Sequence, residues 1–261
     1  MSTSIKPDPW QHLAALTAAR IALGRSGSSL PTRAVLDFDI AHALARDAVH
    51  QPLDVGDLTA RCREQFALDV IVVHSQAGDR LIYLQRPDLG RRLDQAGVAE
   101  LDKRSGPVDL AIVIADGLSA TAVQAHALSL VQALLPLLDD LQVAPLVIAE
   151  QGRVALGDEI GVLLKASLVL VVLGERPGLS SPDSLGAYLT FAPQLGRLDA
   201  ERNCVSNIRD DGLSPVVAAR KLAWLVRAAL ACRLTGVGLK DESGEAPPLM
   251  AVVSRLPGAN E

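Results

Sequence analysis

Leu168-Val-Leu-Val-Val-Leu-Gly-Glu-Arg-Pro-Gly-Leu179 is the stretch that decides the fold. The aliphatic run Leu168 to Leu173 shows no alternation of polar and apolar residues. A run of that length predicts a strand buried on both faces, as in the interior of a parallel sheet. It stops at Gly174-Glu-Arg-Pro-Gly178, a polar turn at the strand's carboxyl end. Open α/β sheets bind ligands along that edge. A Glu-Arg pair between two glycines and a proline is poorly explained by packing.

Two further strands lie upstream. Val108-Asp-Leu-Ala-Ile-Val-Ile-Ala115 ends in Asp116-Gly-Leu-Ser119, and Ala144-Pro-Leu-Val-Ile-Ala149 ends in Glu150-Gln-Gly-Arg-Val154. Helical segments are expected between and after them: Ala120–Leu141, Asp158–Lys165 and Pro215–Leu230. Ser180-Ser-Pro-Asp-Ser184 carries a helix-start signal, and Tyr188–Phe191 is a shorter strand candidate. Strands alternating with helices predict a Rossmann-like, doubly wound, mainly parallel α/β sheet. The first third reads as helical: a segment from Pro9, then Thr32 to about Val49 with Leu36, Ile40, Ala43 and Leu44 on one face, then Asp54–Phe66. Asp69–His74 and Arg80–Leu84 flank Gln76-Ala-Gly-Asp79 and predict a β-hairpin. Pro87 then restarts a helix. Four segments follow: residues 1–68, helical and the preferred docking region for another subunit; 69–105, hairpin and connecting helix; 106–240, the sheet domain; 241–261, a loosely ordered tail.

Composition agrees with an α/β core. Hydrophobic residues are 49% of the 261 and aromatics only 3%, so Ala, Leu and Val must fill it. Mean hydropathy is +0.26, which leaves apolar surface to be covered by another subunit. Neither of the longest apolar stretches, Leu128–Leu138 and Gly161–Gly174, supplies the roughly 20 residues of a membrane span. The formal charge is -5 and the basic residues are scattered, so no nucleic-acid footprint is present. Cys62, Cys204 and Cys232 are odd in number and lack CxxC spacing, which predicts a reducing compartment. The N-terminus has no apolar signal core.

The three strand-end loops should converge on one rim and form a binding surface. It lacks GxGxxG and GxxxxGK[ST], so a nicotinamide, flavin or ATP held in the common way is not expected. HExxH and GxSxG are absent as well, and His12, His42, His50, His74 and His126 are not paired at metal-ligand spacing. No catalytic residue and no metal ligand is therefore assigned. Cys204, in Asp199-Ala-Glu-Arg-Asn-Cys-Val-Ser-Asn-Ile208, is either a small buried hydrophobe or part of a polar cofactor pocket.

Taken together, Leu84-Gln-Arg-Pro-Asp-Leu-Gly-Arg-Arg-Leu93, Ile114-Ala-Asp-Gly-Leu-Ser119, Gly152-Arg-Val154, Gly174-Glu-Arg-Pro-Gly-Leu179 and Glu201-Arg-Asn-Cys-Val-Ser-Asn-Ile208 resemble the small (light) subunit of ethanolamine ammonia-lyase. The resemblance runs from about Ala19 to Ala229 with the motifs in order. It implies a subunit of a carbon–nitrogen lyase that converts ethanolamine to acetaldehyde and ammonia with adenosylcobalamin. A large (β/α)8-barrel subunit would hold the ethanolamine, the two chains would bind the cobalamin jointly, and six of each would form a heterododecamer. By motif, the cofactor contacts fall on Val154, Glu175 and Cys204. The DxHxxG motif that donates a histidine to cobalt is absent, so the resemblance implies base-on cofactor. It also implies a bacterial cytoplasmic location. Many relatives carry a longer N-terminal extension associated with microcompartment packaging, whereas here only Met1 to about Asp8 precede the first expected helix. Two alternatives remain at this stage: a stand-alone α/β enzyme with a small-molecule substrate at the same rim, and a non-catalytic corrinoid carrier.

Overall fold

The computed structural model describes residues 5–66 and 68–244. At its centre β2 (Val108–Ala115) and β4 (Ala166–Gly174) run in parallel, from Val108 opposite Ala166 to Ala115 opposite Leu173. β3 (Leu146–Glu150) lies on the other side of β2, and β1 (Val70–His74) pairs in parallel outside it. β5 (Leu185–Phe191) and β6 (Asn203–Ile208) complete a six-stranded sheet in the order β1-β3-β2-β4-β5-β6. Each of these last two strands is antiparallel to its inner neighbour. The expected mainly parallel sheet is present, with an antiparallel edge.

Unalternating sequence becomes two cores because successive side chains point to opposite faces. Leu110, Ile112 and Ile114 pack with α2 (Val55–Gln65), the helical run α5 (Ala120–Leu138) and α7 (Pro215–Cys232). Ala111, Val113 and Ala115 face the opposite way, onto α4 (Gln95–Asp102) and α6 (Leu156–Leu163). α5 is long and apolar enough to cross a membrane by length and composition. Its buried Leu128, Leu130, Val131 and Leu134 pack in the first core, which accounts for that hydropathy. Pro136 has no amide hydrogen to continue the α pattern, and the helix tightens to a 3-10 turn at Leu135–Leu138.

Several sequence expectations need correction. The hairpin is absent: Arg80–Gln85 is a helix, α3. The Asp79 carboxylate caps it by accepting from the Ile82 amide at 2.8 Å, and β1 takes β3 as its neighbour instead. The helix expected from Pro87 shrinks to a 3-10 turn at Leu89–Arg91, and the full helix α4 begins after the Asp94 cap. The segment after Pro9 forms only a 3-10 turn, Gln11–Leu16. Ser180–Ser184 starts no helix. The Pro182 carbonyl accepts from Ser119 Oγ and Ser184 Oγ donates to Glu175, so the segment turns the chain from β4 into β5. Within the expected helical region 1–68, α2 belongs to the sheet's first core. α1 (Thr32–His50) does not: it buries only Ala48. Of the tail, residues 245–261 lie outside the described residues, while Asp241 accepts from Lys221 Nζ.

Candidate functional site

The carboxyl ends of the four parallel strands share one rim with the start of β5 and the end of β6. Gly117 and Gly174 let the loops after β2 and β4 touch. Leu118 N–H donates to the Gly174 carbonyl at 2.9 Å, and a Cβ on Gly117 would sit 2.3 Å from that same oxygen. Gly117 also has φ +57°, a conformation that favours glycine. Asp116 anchors the neighbouring loop. Its Oδ1 accepts from Gly152 N–H at 3.0 Å, and Arg80 Nη1 reaches its Oδ2 at 3.3 Å and the Gly117 carbonyl at 2.8 Å. Burial pushes the Asp116 carboxyl up to about 6, against the opposing pull of Arg80.

Glu175 follows the last residue of β4 on this rim. Its Oε2 accepts from Ser184 Oγ at 2.6 Å and from the Asn207 amide at 3.3 Å. A register shift between β5 and β6 aims that amide: Asn207 takes φ +57°, and its N–H leaves the ladder. The carboxylate lies over Gly186, where a Cβ would stand 3.0 Å from both Glu175 Oε1 and a Tyr188 ring carbon. Oε1 accepts no hydrogen bond among the described residues.

Cys204 is not on the rim itself. It lies in β6 opposite Tyr188 of β5, which in turn pairs with Val171 in the middle of β4. Ala187 and Val205 point into the first core, so Tyr188 and Cys204 face the other side, where Tyr188 packs on the second core. Tyr188 and Cys204 stand opposite each other across the two strands, and the charge of Glu175 acts on both. Burial is the main force raising the thiol's pKa, with Glu175 adding to it and Tyr188 opposing. Cys204 is nonetheless exposed in this chain, so the structure does not support the buried-hydrophobe alternative.

Val154 stands in the loop between β3 and α6 and packs against the same second core. Its backbone amide and that of Ala155 donate to no group among the described residues. The fold therefore sets Val154, Glu175 and Cys204 on one side of the sheet. Free amide donors stand at one end of that surface, an unused carboxylate oxygen at another, and a Tyr-Cys pair on the strands beside it. Such a surface can hydrogen-bond a large, flat, amide-bearing ligand such as a corrin. Among the described residues it presents no complete nucleophile–base–acid set. Among the described residues no group of three or more His, Cys, Asp or Glu could hold a metal ion.

Sequence reading missed the residues that build this surface. Tyr188 was expected only as strand, and Ser184 and Asn207 carried no role. A lone glycine inside a strand marks a close approach, so Gly186 was the available signal. Arg202 was also missed. It is buried beneath the surface and binds Asp158 of α6 through both terminal nitrogens, at 2.6 and 2.7 Å, and Thr190 Oγ1 at 2.8 Å. This ties α6, which follows Val154, to the strand that carries Cys204.

Residues 7–240 match the family model described as ethanolamine ammonia-lyase light chain (EutC). The chain is 53% identical over 252 residues to the ethanolamine ammonia-lyase small subunit of Pseudomonas aeruginosa (strain LESB58), covering 92% of each chain. It is 57% identical over 244 residues to the small subunit of Bradyrhizobium diazoefficiens, covering 92% of this chain and 93% of the relative. With that of Azotobacter vinelandii it shares 54% over 258 residues, covering 97% of this chain and 92% of the relative.

Proposed function

The chain belongs to the ethanolamine ammonia-lyase light-chain family, and from that premise we propose that it binds adenosylcobalamin jointly with a large barrel subunit on the Val154–Glu175–Cys204 side of its sheet. Its role is that of the small subunit of this lyase. The observation that carries the cofactor assignment is the convergence of all three motif residues on one face, beside donors and an acceptor with no partner among the described residues.

When bound, the cofactor supplies a homolysable Co–C bond. This chain's residues supply placement. Glu175 Oε1 would accept from an amide of the cofactor, while Ser184 and Asn207 hold the other oxygen still. The Val154 amide would donate to it, and the exposed Cys204 would line the same face beside Tyr188. A partner over this face would exclude water from a radical reaction. We read the parallel part of the sheet as Rossmann-like, doubly wound about β2, with the cofactor at its rim. The lack of DxHxxG in the sequence supports a cofactor that would bind base-on.

The large subunit, which binds the ethanolamine, docks on α1 in this proposal. Leu36, Ile40 and Leu44 recur every fourth residue and are 55%, 60% and 55% exposed, an apolar stripe that nothing among the described residues covers. Assembly as six large and six small chains would cover it. The three free thiols suit a bacterial cytoplasm, within or outside a microcompartment.

Glu175→Gln tests the cofactor role. The amide keeps one acceptor but must present its NH2 either to Ser184 and Asn207 or to the ligand. The assembled enzyme should bind cobalamin about tenfold more weakly, roughly 1.4 kcal/mol. Turnover at saturating cofactor should stay within about threefold of wild type, because Glu175 transfers no proton. Lost turnover with intact binding would instead make it an acid or base.

A further inference from the structure

Arg80 of α3 joins three chain segments. Its Nε donates to the Val49 carbonyl at 2.7 Å, in the last turn of α1. Its Nη1 reaches the Asp116 carboxylate and the Gly117 carbonyl after β2, and the Gln151 Oε1 after β3 at 3.4 Å. The guanidinium lies 4.9 Å from the centroid of the Tyr83 ring, and the Tyr83 hydroxyl donates to the Gly152 carbonyl at 3.1 Å. Asp116 completes the cluster by accepting from the Gly152 amide. Both loops lead on to the binding face. The loop after β2 touches Gly174, next to Glu175, and the loop after β3 runs through Val154.

This arrangement is poor for stability alone. Asp116 is fully buried and Arg80 largely so, and the buried Arg80 Nη2 has no acceptor among the described residues. Burial pushes the Asp116 carboxyl up to about 6, so its charge weighs on the fold at neutral pH. Its contacts nonetheless suit only the charged form. Oδ1 faces the Gly152 N–H and Oδ2 faces Arg80, both donors. A proton on either oxygen finds no acceptor there, so one contact must open. Arg80 and Tyr83 are the titratable side chains of α3 coupled to this charge, and Arg153 from the loop before α6 stacks on the same Tyr83 ring. The remaining partners are the backbone amides of Gly117, Gln151 and Gly152. A charged pair kept against its own burial, beside a binding rim, has the character of a site and not of a core.

We propose that Arg80 and Asp116 are positioning residues that lock the loops after β2 and β3 to one another and so hold the rim in its ligand-receiving form. The inference rests on the cofactor reading of the rim and deepens it, because neither side chain has to touch the cofactor. A rim that is competent for only part of the time weakens affinity by that fraction, with every direct contact intact.

Asp116→Asn tests this, since the amide stands in for the neutral carboxyl at every pH. Equilibrium dialysis gives the adenosylcobalamin Kd of the full chain assembled with a large subunit, and denaturant unfolding gives the midpoint of the full chain. Both are taken near pH 5 and near pH 8, each relative to wild type, so that other titrating groups cancel. At the higher pH the variant should bind about 5- to 10-fold more weakly than wild type; at the lower pH the two should agree within about twofold, because wild type is then protonated as well. Stability should run the other way. A folded-state pKa raised above the unfolded value gives stability that is present at low pH and lost as pH climbs through about 6. On acidification wild type should therefore gain on the variant in unfolding midpoint while it loses its lead in affinity. A purely structural role would move both together; that result, or an affinity ratio independent of pH, would overturn the proposal. If Asp116→Asn does not fold, Arg80→Lys carries the test. Its single ammonium cannot span Val49, Gly117 and Asp116 as the guanidinium does, and cofactor affinity near pH 8 should fall about 3- to 10-fold. Unchanged affinity would refute the lock. A wild-type complex that binds no cobalamin at either pH would instead defeat the cofactor reading, and this inference with it.

Discussion

Gly174→Ala is expected to destabilise the chain by at least about 4 kcal/mol, at the extreme of single-substitution effects. A Cβ at this position would lie 2.0 Å from the Ser119 carbonyl oxygen, 2.6 Å from its carbon and 2.8 Å from the Asp116 carbonyl oxygen. All three are backbone atoms, so no rotamer change relieves the overlap. The loop after β2 would have to leave β4, breaking the Leu118-to-Gly174 hydrogen bond and moving both Glu175 and the start of α5. Denaturant unfolding checks the value, with Gly78→Ala as control: a Cβ there meets nothing within 4 Å and should change stability by less than about 0.5 kcal/mol. A small loss in Gly174→Ala would mean that the two loops are not in contact.

The second large effect lies beneath the face that carries Tyr188 and Cys204. Arg202→Leu leaves Asp158 ionised and buried without its partner, which costs about 3–5 kcal/mol. The double variant Arg202→Leu with Asp158→Leu should recover most of that loss, because no lone charge remains. The deficit also has a pH signature. Burial already raises the Asp158 pKa while Arg202 opposes it. Without the arginine the folded-state pKa rises further above the unfolded value. A raised folded pKa gives stability that is present at low pH and lost as pH climbs. The gap between Arg202→Leu and wild type should therefore be widest at neutral pH and narrow towards pH 4. A gap independent of pH would mean that Arg202 acts through packing alone.

Much of the sheet was legible in the sequence because its strands are buried on both faces. Val108–Ala115 was placed to the residue, and Leu168–Leu173 lies wholly within β4. Uninterrupted aliphatic runs leave little room for another reading once turn residues bound them. Legibility failed where a side chain's partner lies far away in sequence. Asp79 reads equally as a turn residue or a helix cap, and the choice was made by β1 pairing with a strand some seventy residues later. Ser184 reads as a helix start until its hydroxyl is seen on Glu175. β6 was missed because Asn203-Cys-Val-Ser-Asn-Ile208 alternates too weakly, with a shift of register inside it. The site divided the same way. All three contacts were assigned by the family motif; strand ends alone put Glu175 and Val154 on the rim, and Tyr188 and Arg202 appear only when three strands and a helix are brought together.

The central claim is that this chain contributes one wall of a shared cobalamin site and no chemistry of its own. Its most direct test is adenosylcobalamin binding and ethanolamine deamination, measured for the purified chain, for a cognate large subunit, and for the two mixed. The account predicts turnover and tight cofactor retention in the mixture, with no turnover by this chain alone. Turnover by the chain alone, or tight cobalamin binding by it that the large subunit does not improve, would contradict the account.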